Sequence, residues 1–73
     1  MTREDPTITV TVNGSRRSLP GGRSVAGILA ALDLHPGLVV VERNGDILHR
    51  SAYADVPVEE GDRLELVHFV GGG

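Results

Sequence analysis

Polar and apolar residues alternate from Thr7 to Val12, with Ile8, Val10 and Val12 set between Thr7, Thr9 and Thr11. A period of two in β-branched residues predicts a strand over 8–12 with one buried face. Asn13-Gly14 follows, a dipeptide suited to two-residue hairpin turns, and predicts a returning strand over 15–19 with Arg16 and Arg17 mostly in solvent. Pro20-Gly21-Gly22 breaks the sheet. Ser24 is a good helix N-cap. After it Val25, Ile28, Leu29 and Leu32 recur at i, i+3, i+4 and i+7, the stripe of an amphipathic helix. Gly27 weakens that helix by roughly 1 kcal/mol against Ala, which a close approach of the helix backbone to the sheet would justify. His35-Pro36-Gly37 is expected to end the region.

The continuous apolar run from Leu38 to Glu42 suits a central strand. Asn44-Gly45 is a second hairpin turn, Ile47-Leu48 a short strand, and Ser51 to Ala54 a single helical turn capped by Ser51. Val56 to Asp62 reads as a loop that turns at Glu60-Gly61-Asp62, and Arg63 to Val70 as the last strand. The order β-β-α-β-β-β predicts an α+β domain, a mixed sheet of about five strands with one helix on one face. The expected boundaries are a disordered extension over 1–7, the folded domain over 8–70 and a flexible glycine tail over 71–73.

In the last strand Leu64, Leu66, His68 and Val70 point one way, and Arg63, Glu65, Val67 and Phe69 the other. One helix covers one face, so Val67 and Phe69 are surplus apolar residues beside the tail. Such a patch on a small domain marks a partner surface; the alternative is that Phe69 folds over a sheet edge and completes the core. Gly71-Gly72-Gly73 has no Cβ and fits an extended channel closed to other residues. It presents the α-carboxylate of Gly73 as an acyl group for delivery into another protein's active site. The competing reading is a frayed end or a severed linker.

Composition removes several functions. A chain of 73 residues buries only about 60% of the surface its unfolded form exposes, leaving no room for a walled substrate cavity. A formal charge of −3 and only two aromatic residues, Tyr53 and Phe69, argue against nucleic acid as a partner. No apolar stretch approaches a membrane span and the N-terminus lacks a signal-peptide core, so no membrane association is expected and the cytoplasm is the expected location. There is no cysteine, hence no thiolate metal site and no nucleophilic thiol on this chain. All seven basic residues are arginine, so no lysine side chain can capture an activated terminus.

Several motifs together resemble a known family. They are Val12-Asn13-Gly14, Val25-Ala26-Gly27-Ile28-Leu29, Asn44-Gly45, Arg50 with Tyr53, and above all Glu60-Gly61-Asp62-Arg63-Leu64-Glu65-Leu66-Val67-His68-Phe69-Val70-Gly71-Gly72-Gly73. The chain from about residue 8 onwards resembles the ubiquitin-like β-grasp sulfur carriers, closest to the ThiS family of thiamine thiazole biosynthesis. Residues 1–7 depart from that pattern, Tyr53 stands where the family often has Trp, and three glycines stand in place of the minimal two. The resemblance implies a carrier that is itself no enzyme, with Gly73 as the reacting residue and Gly71, Gly72, Val70, Phe69 and Val67 engaging partners. It implies an E1-like adenylyltransferase using ATP and Mg²⁺, a cysteine desulfurase or sulfurtransferase system supplying a persulfide, and thiazole synthase as acceptor. It implies no cofactor or metal held by this chain. The sister carrier of molybdopterin synthesis, a modifier joined to target lysines, and an interaction domain with an inert tail are the alternatives.

Other candidates are less specific. His35, His49 and His68 are too scattered for a metal site; His68 lies near enough to the tail to polarise an activated carbonyl, or is an interface residue. Asp55, Glu59, Glu60 and Asp62 form an acidic group read as solvated surface or as a docking patch for an Arg-bearing partner. Gly21-Gly22 precedes a helix but lacks the lysine of a phosphate-binding loop, so a turn is expected. Arg50 is a candidate partner of Asp46, of Asp55 or of another protein.

Overall fold

The computed structural model describes residues 6–69. Its elements are β1 (Thr7–Val12), β2 (Ser15–Pro20), α1 (Val25–Ala31), β3 (Val39–Arg43), β4 (Asp46–Ile47) and β5 (Arg63–His68), with 3₁₀ turns at Pro36–Leu38 and Arg50–Ala52. The strands form one five-stranded sheet in the order β2-β1-β5-β3-β4. β1 and β5 are parallel, and every other pairing is antiparallel. This is the mixed sheet with one helix that the element order predicts.

Both Asn-Gly pairs do what their chemistry favours. Asn13 (φ 49°) with Gly14 (φ 84°), and Asn44 (φ 50°) with Gly45 (φ 90°), form left-handed two-residue turns that match the twist of the strands they join. The Ser24 hydroxyl caps α1 by accepting from the Gly27 N–H at 3.2 Å. Val25, Ile28 and Leu29 face the sheet and meet Val10, Val12, Leu19, Val39, Val41, Leu64 and Leu66 in one core, closed at its side by Tyr53 and Val58. Leu32 packs against its margin.

Several expectations change. β1 begins at Thr7, and the Pro6 carbonyl accepts from the Gly21 N–H at 2.7 Å, so Pro6 and Thr7 belong to the folded unit. The 71–73 boundary lies outside the described residues. α1 ends before His35: Leu34 N–H bonds to Leu29 O at 2.8 Å and Asp33 N–H to Ala30 O at 3.0 Å, with Asp33 at φ 61°. That is a C-terminal cap made by aspartate, a residue that tolerates the left-handed region, and no glycine signals it. Gly27 does not face the sheet. A Cβ there would meet the Arg23 side chain at 3.2 Å, within the preceding turn.

β3 is an interior strand, as its apolar run predicts, and lies between β5, which holds the middle of the sheet, and the two-residue β4. Only alternate residues of the run enter the core: Val39 and Val41 are buried while Val40 lies on the open face. The second turn is not capped by Ser51. It starts one residue earlier, after His49, and Ser51 lies within it. The group that matters there is Tyr53. Its hydroxyl donates to Val39 O at 2.8 Å and accepts from Val41 N–H at 3.2 Å, standing in for the strand that β4 is too short to supply.

Candidate functional site: the open sheet face and the end of the terminal strand

α1 covers one face of the sheet, and the pleat sends alternate residues of each strand to the other. In β5 Leu64 and Leu66 are buried, whereas Arg63, Glu65 and Val67 are exposed. Val67 pairs directly with Val40 of β3. Facing residues in an antiparallel pair share a face, so the two valines form one apolar step. Phe69 continues past β5, held by its N–H to Leu38 O at 2.8 Å. Val67 is 54% exposed and Phe69 53%, and neither belongs to the core. The reading in which Phe69 folds over an edge to complete the core is therefore discarded. Leu38 and Ile47 are also exposed, so the apolar surface lies on the β3–β4 side of the molecule.

Gly73, the expected reacting residue, and Val70, Gly71 and Gly72, three of the expected partner contacts, lie outside the described residues. The structure does fix what precedes them. β5 is paired on both edges, by β1 in parallel and by β3 along its length. A central strand is the least deformable place from which to launch a terminal segment, because both edges must break before it moves.

The start of β5 is anchored by a polar cluster that the sequence reading misplaced. Asp62 is buried, at 6% exposure, and is not part of a solvated acidic group. Its carboxylate accepts from Arg43 Nε at 2.8 Å, from Asn44 Nδ2 at 3.0 Å and from Glu59 N–H at 2.8 Å. Asn44 Oδ1 in turn accepts from the Arg63 N–H at 2.8 Å. Burial alone would raise the Asp62 pKa, but the Glu59 N–H, the Asn44 amide and the Arg43 guanidinium outweigh it and hold it below the usual carboxylate value. The cluster ties the loop before β5 to the β3–β4 turn. Asp55, Glu59 and Glu60 remain on the surface, with Glu59 paired to Arg43 at 3.3 Å.

The remaining candidates resolve into structure. Arg50 Nε donates to the Pro36 carbonyl at 3.1 Å and pairs with neither Asp46 nor Asp55. Gly21 donates its N–H to Pro6, and a Cβ on it would lie 2.6 Å from that carbonyl oxygen, which explains glycine there without a phosphate. No group of three His, Cys, Asp or Glu among the described residues is arranged to hold a metal. His68 is exposed at the end of β5, and His35 caps the first 3₁₀ turn by accepting from Gly37 N–H. Among the described residues no helix is long and apolar enough to cross a membrane.

A five-stranded mixed sheet gripping one helix, with its central C-terminal strand ending beside an apolar open face, defines a ubiquitin-like β-grasp domain. Comparison with known proteins narrows this. The sequence profile of the ThiS family matches residues 10–73, and the chain belongs to that family. A crystal structure of the thiamine biosynthesis protein (ThiS) from Geobacter metallireducens superposes with a TM-score of 0.76 at 36% identity, covering 90% of this chain and 100% of that one. The sulfur carrier protein ThiS of Bacillus subtilis is 40% identical over 50 residues, 68% of this chain and 76% of that protein. A thiazole synthase of Paramagnetospirillum magneticum is 41% identical over 64 residues, 88% of this chain but 20% of that protein. The chain thus spans about a fifth of the length of the thiazole synthases it matches.

Proposed function

We propose that this chain is a cytoplasmic sulfur carrier of thiamine thiazole formation, a protein co-substrate and not an enzyme. The observation that carries this reading is the family match running through Gly73, on a domain whose central strand leads towards that residue. The carboxylate of Gly73 attacks the α-phosphate of ATP on an E1-like adenylyltransferase, with Mg²⁺ held by that partner, giving an acyl adenylate and pyrophosphate. The terminal sulfur of a persulfide from a cysteine desulfurase or sulfurtransferase system displaces AMP. Cleavage of the S–S bond by a second thiol then leaves a thiocarboxylate. With no cysteine on this chain, both thiols come from partners. The thiocarboxylate passes its sulfur to thiazole synthase. Val67 and Phe69 dock the domain, while Val70, Gly71 and Gly72 thread the partner's channel. This chain holds no cofactor or metal of its own.

Thiazole synthase is favoured as the acceptor over a molybdopterin-type partner. Two proteins named thiazole synthase contain a stretch that aligns with 88% of this chain, which puts such a domain and that activity in one polypeptide. The test is intact mass after incubation with ATP, Mg²⁺, the adenylyltransferase and a sulfur source. The expected product has one oxygen replaced by sulfur. Oxidation of Met1 mimics that shift, so the product is alkylated and fragmented to place the change on Gly73. An unchanged terminus with demonstrably active partners refutes the carrier reading. Thiol-resistant conjugates of higher mass point instead to a protein modifier. Removal of Gly72 and Gly73 abolishes loading if the tail reacts and changes nothing if the domain is an interaction module.

A further inference from the structure

The side chain of Asn13 does more than shape a turn. β1 pairs in parallel with β5 as far as Val12 with Leu64, and the Asn13 N–H closes the ladder on Leu64 O at 2.9 Å. The main chain then leaves through the left-handed Asn13-Gly14 turn, so no backbone runs beside Leu66 on that edge. The Asn13 amide fills the gap. Its Oδ1 accepts from Leu66 N–H at 2.7 Å, and its Nδ2 donates to Leu66 O at 3.1 Å. A primary amide carries the donor and acceptor of a peptide group, and asparagine tolerates the left-handed conformation needed here. One side chain thus acts as a further residue of β1, and β5 is held around Leu66 by this amide on one edge and by the β3 pairing of the residues on either side of it on the other.

We propose that Asn13 is a positioning residue for activation of the terminus: its amide fixes the point and direction at which the chain leaves β5. This rests on the carrier reading. A tail leaving a strand clamped on both edges has less freedom to lose on entering a channel, and reacting groups presented in fixed geometry react faster. The contribution is expected after docking, because Asn13 reaches β5 from the β1 edge, whereas the docking side chains of Val67 and Phe69 are exposed on the side of β3.

The experiment uses the full chain with the E1-like adenylyltransferase, ATP and Mg²⁺, and measures pyrophosphate release. Asn13→Gly keeps the left-handed turn accessible, since glycine adopts it freely, and removes the side-chain amide. The expected result is a kcat lower by about tenfold with KM within about twofold of wild type. Hydrogen exchange should speed at the Leu66 amide and stay unchanged at Val41. Asn13→Asp, which keeps the turn but sets a carboxylate oxygen against the Leu66 carbonyl, should lower kcat at least as far. Circular dichroism identifies the variant that remains folded. A wild-type kcat in either folded variant overturns the proposal, as does a loss confined to KM. No release from the wild-type chain by an active adenylyltransferase overturns the carrier reading itself, and with it this role for Asn13.

Discussion

Tyr53→Phe is the most direct probe of how the sheet is completed. In the β3–β5 pairing Val40 exchanges hydrogen bonds with Val67, so the main-chain groups of Val39 and Val41 point away from β5. Beyond them lies only β4, whose two residues pair with Glu42 and Arg43. Leu48 N–H reaches Val41 O at 2.9 Å, but Val39 O and Val41 N–H meet the Tyr53 hydroxyl instead. Both valines and the tyrosine are buried. Phenylalanine fits the same space and removes only the oxygen, leaving one acceptor and one donor without partners. At about 1–1.5 kcal/mol each, the loss is about 2–3 kcal/mol. For a domain of this size that lowers Tm by about 10–20 °C. Thermal unfolding followed by circular dichroism measures it, and exchange of the Val41 amide should accelerate in parallel. A fall of less than about 3 °C would mean that water replaces the hydroxyl at no cost, and the view of Tyr53 as a substitute strand would be wrong.

Phe69→Asp should weaken binding to the adenylyltransferase by about tenfold or more, because half of a phenyl surface and its partner pocket lose apolar contact, while Tm falls by only a few degrees; a Tm collapse without a specific binding defect would return Phe69 to the core. Asp62→Asn should cost about 2 kcal/mol at neutral pH through loss of charge-assisted bonds to Arg43 and Glu59 N–H. Because the folded-state pKa of Asp62 lies below its unfolded value, this stabilisation is complete above the unfolded value near 4 and disappears as pH falls through the folded one. Urea midpoints of wild type and variant should therefore converge on acidification, and a gap independent of pH would exclude the charge as its source. Gly73→Ala should slow sulfur loading by about tenfold by placing a Cβ in the partner's channel, and near-normal loading of that variant would argue against a narrow channel.

What the sequence made legible was whatever depends on neighbours along the chain. The β1 alternation, both Asn-Gly turns, the Ser24 cap and the Val25-Ile28-Leu29 stripe are local patterns, and each formed the element it predicted. The exposure of Val67 and Phe69 was also readable, because period two in β5 leaves one helix unable to cover both faces. What escaped depends on partners distant in sequence. Asp62 looked like one more surface acid because Arg43 and Asn44, which bury and satisfy it, come from another turn. The run from Leu38 to Glu42 marked an interior strand, but periodicity reports burial and not strand order, so the middle place of β5 did not show. Asp33 closed α1 without a glycine to announce it.

The same limit hides the second role of Asn13 from the sequence. An Asn-Gly pair is favoured at any hairpin for its φ alone, and that local reason suffices to account for the residue. Its side chain acquires a second task only because the parallel β1–β5 pairing brings Leu66 alongside the turn. Tyr53 is the same case on the opposite side of the sheet. Where β1 and β4 end early, a side chain that carries both a donor and an acceptor takes the place of the missing backbone: an amide at Leu66, a phenol between Val39 and Val41. The two substitutions differ in what they hold. Tyr53 completes the edge of a strand that stays within the domain, so its loss should register as stability. Asn13 completes the edge of the strand from which the terminus departs, so its loss should register after docking, in the rate at which Gly73 is activated. If the two variants instead change stability and activation in the same proportion, the division of labour between the two edges does not exist.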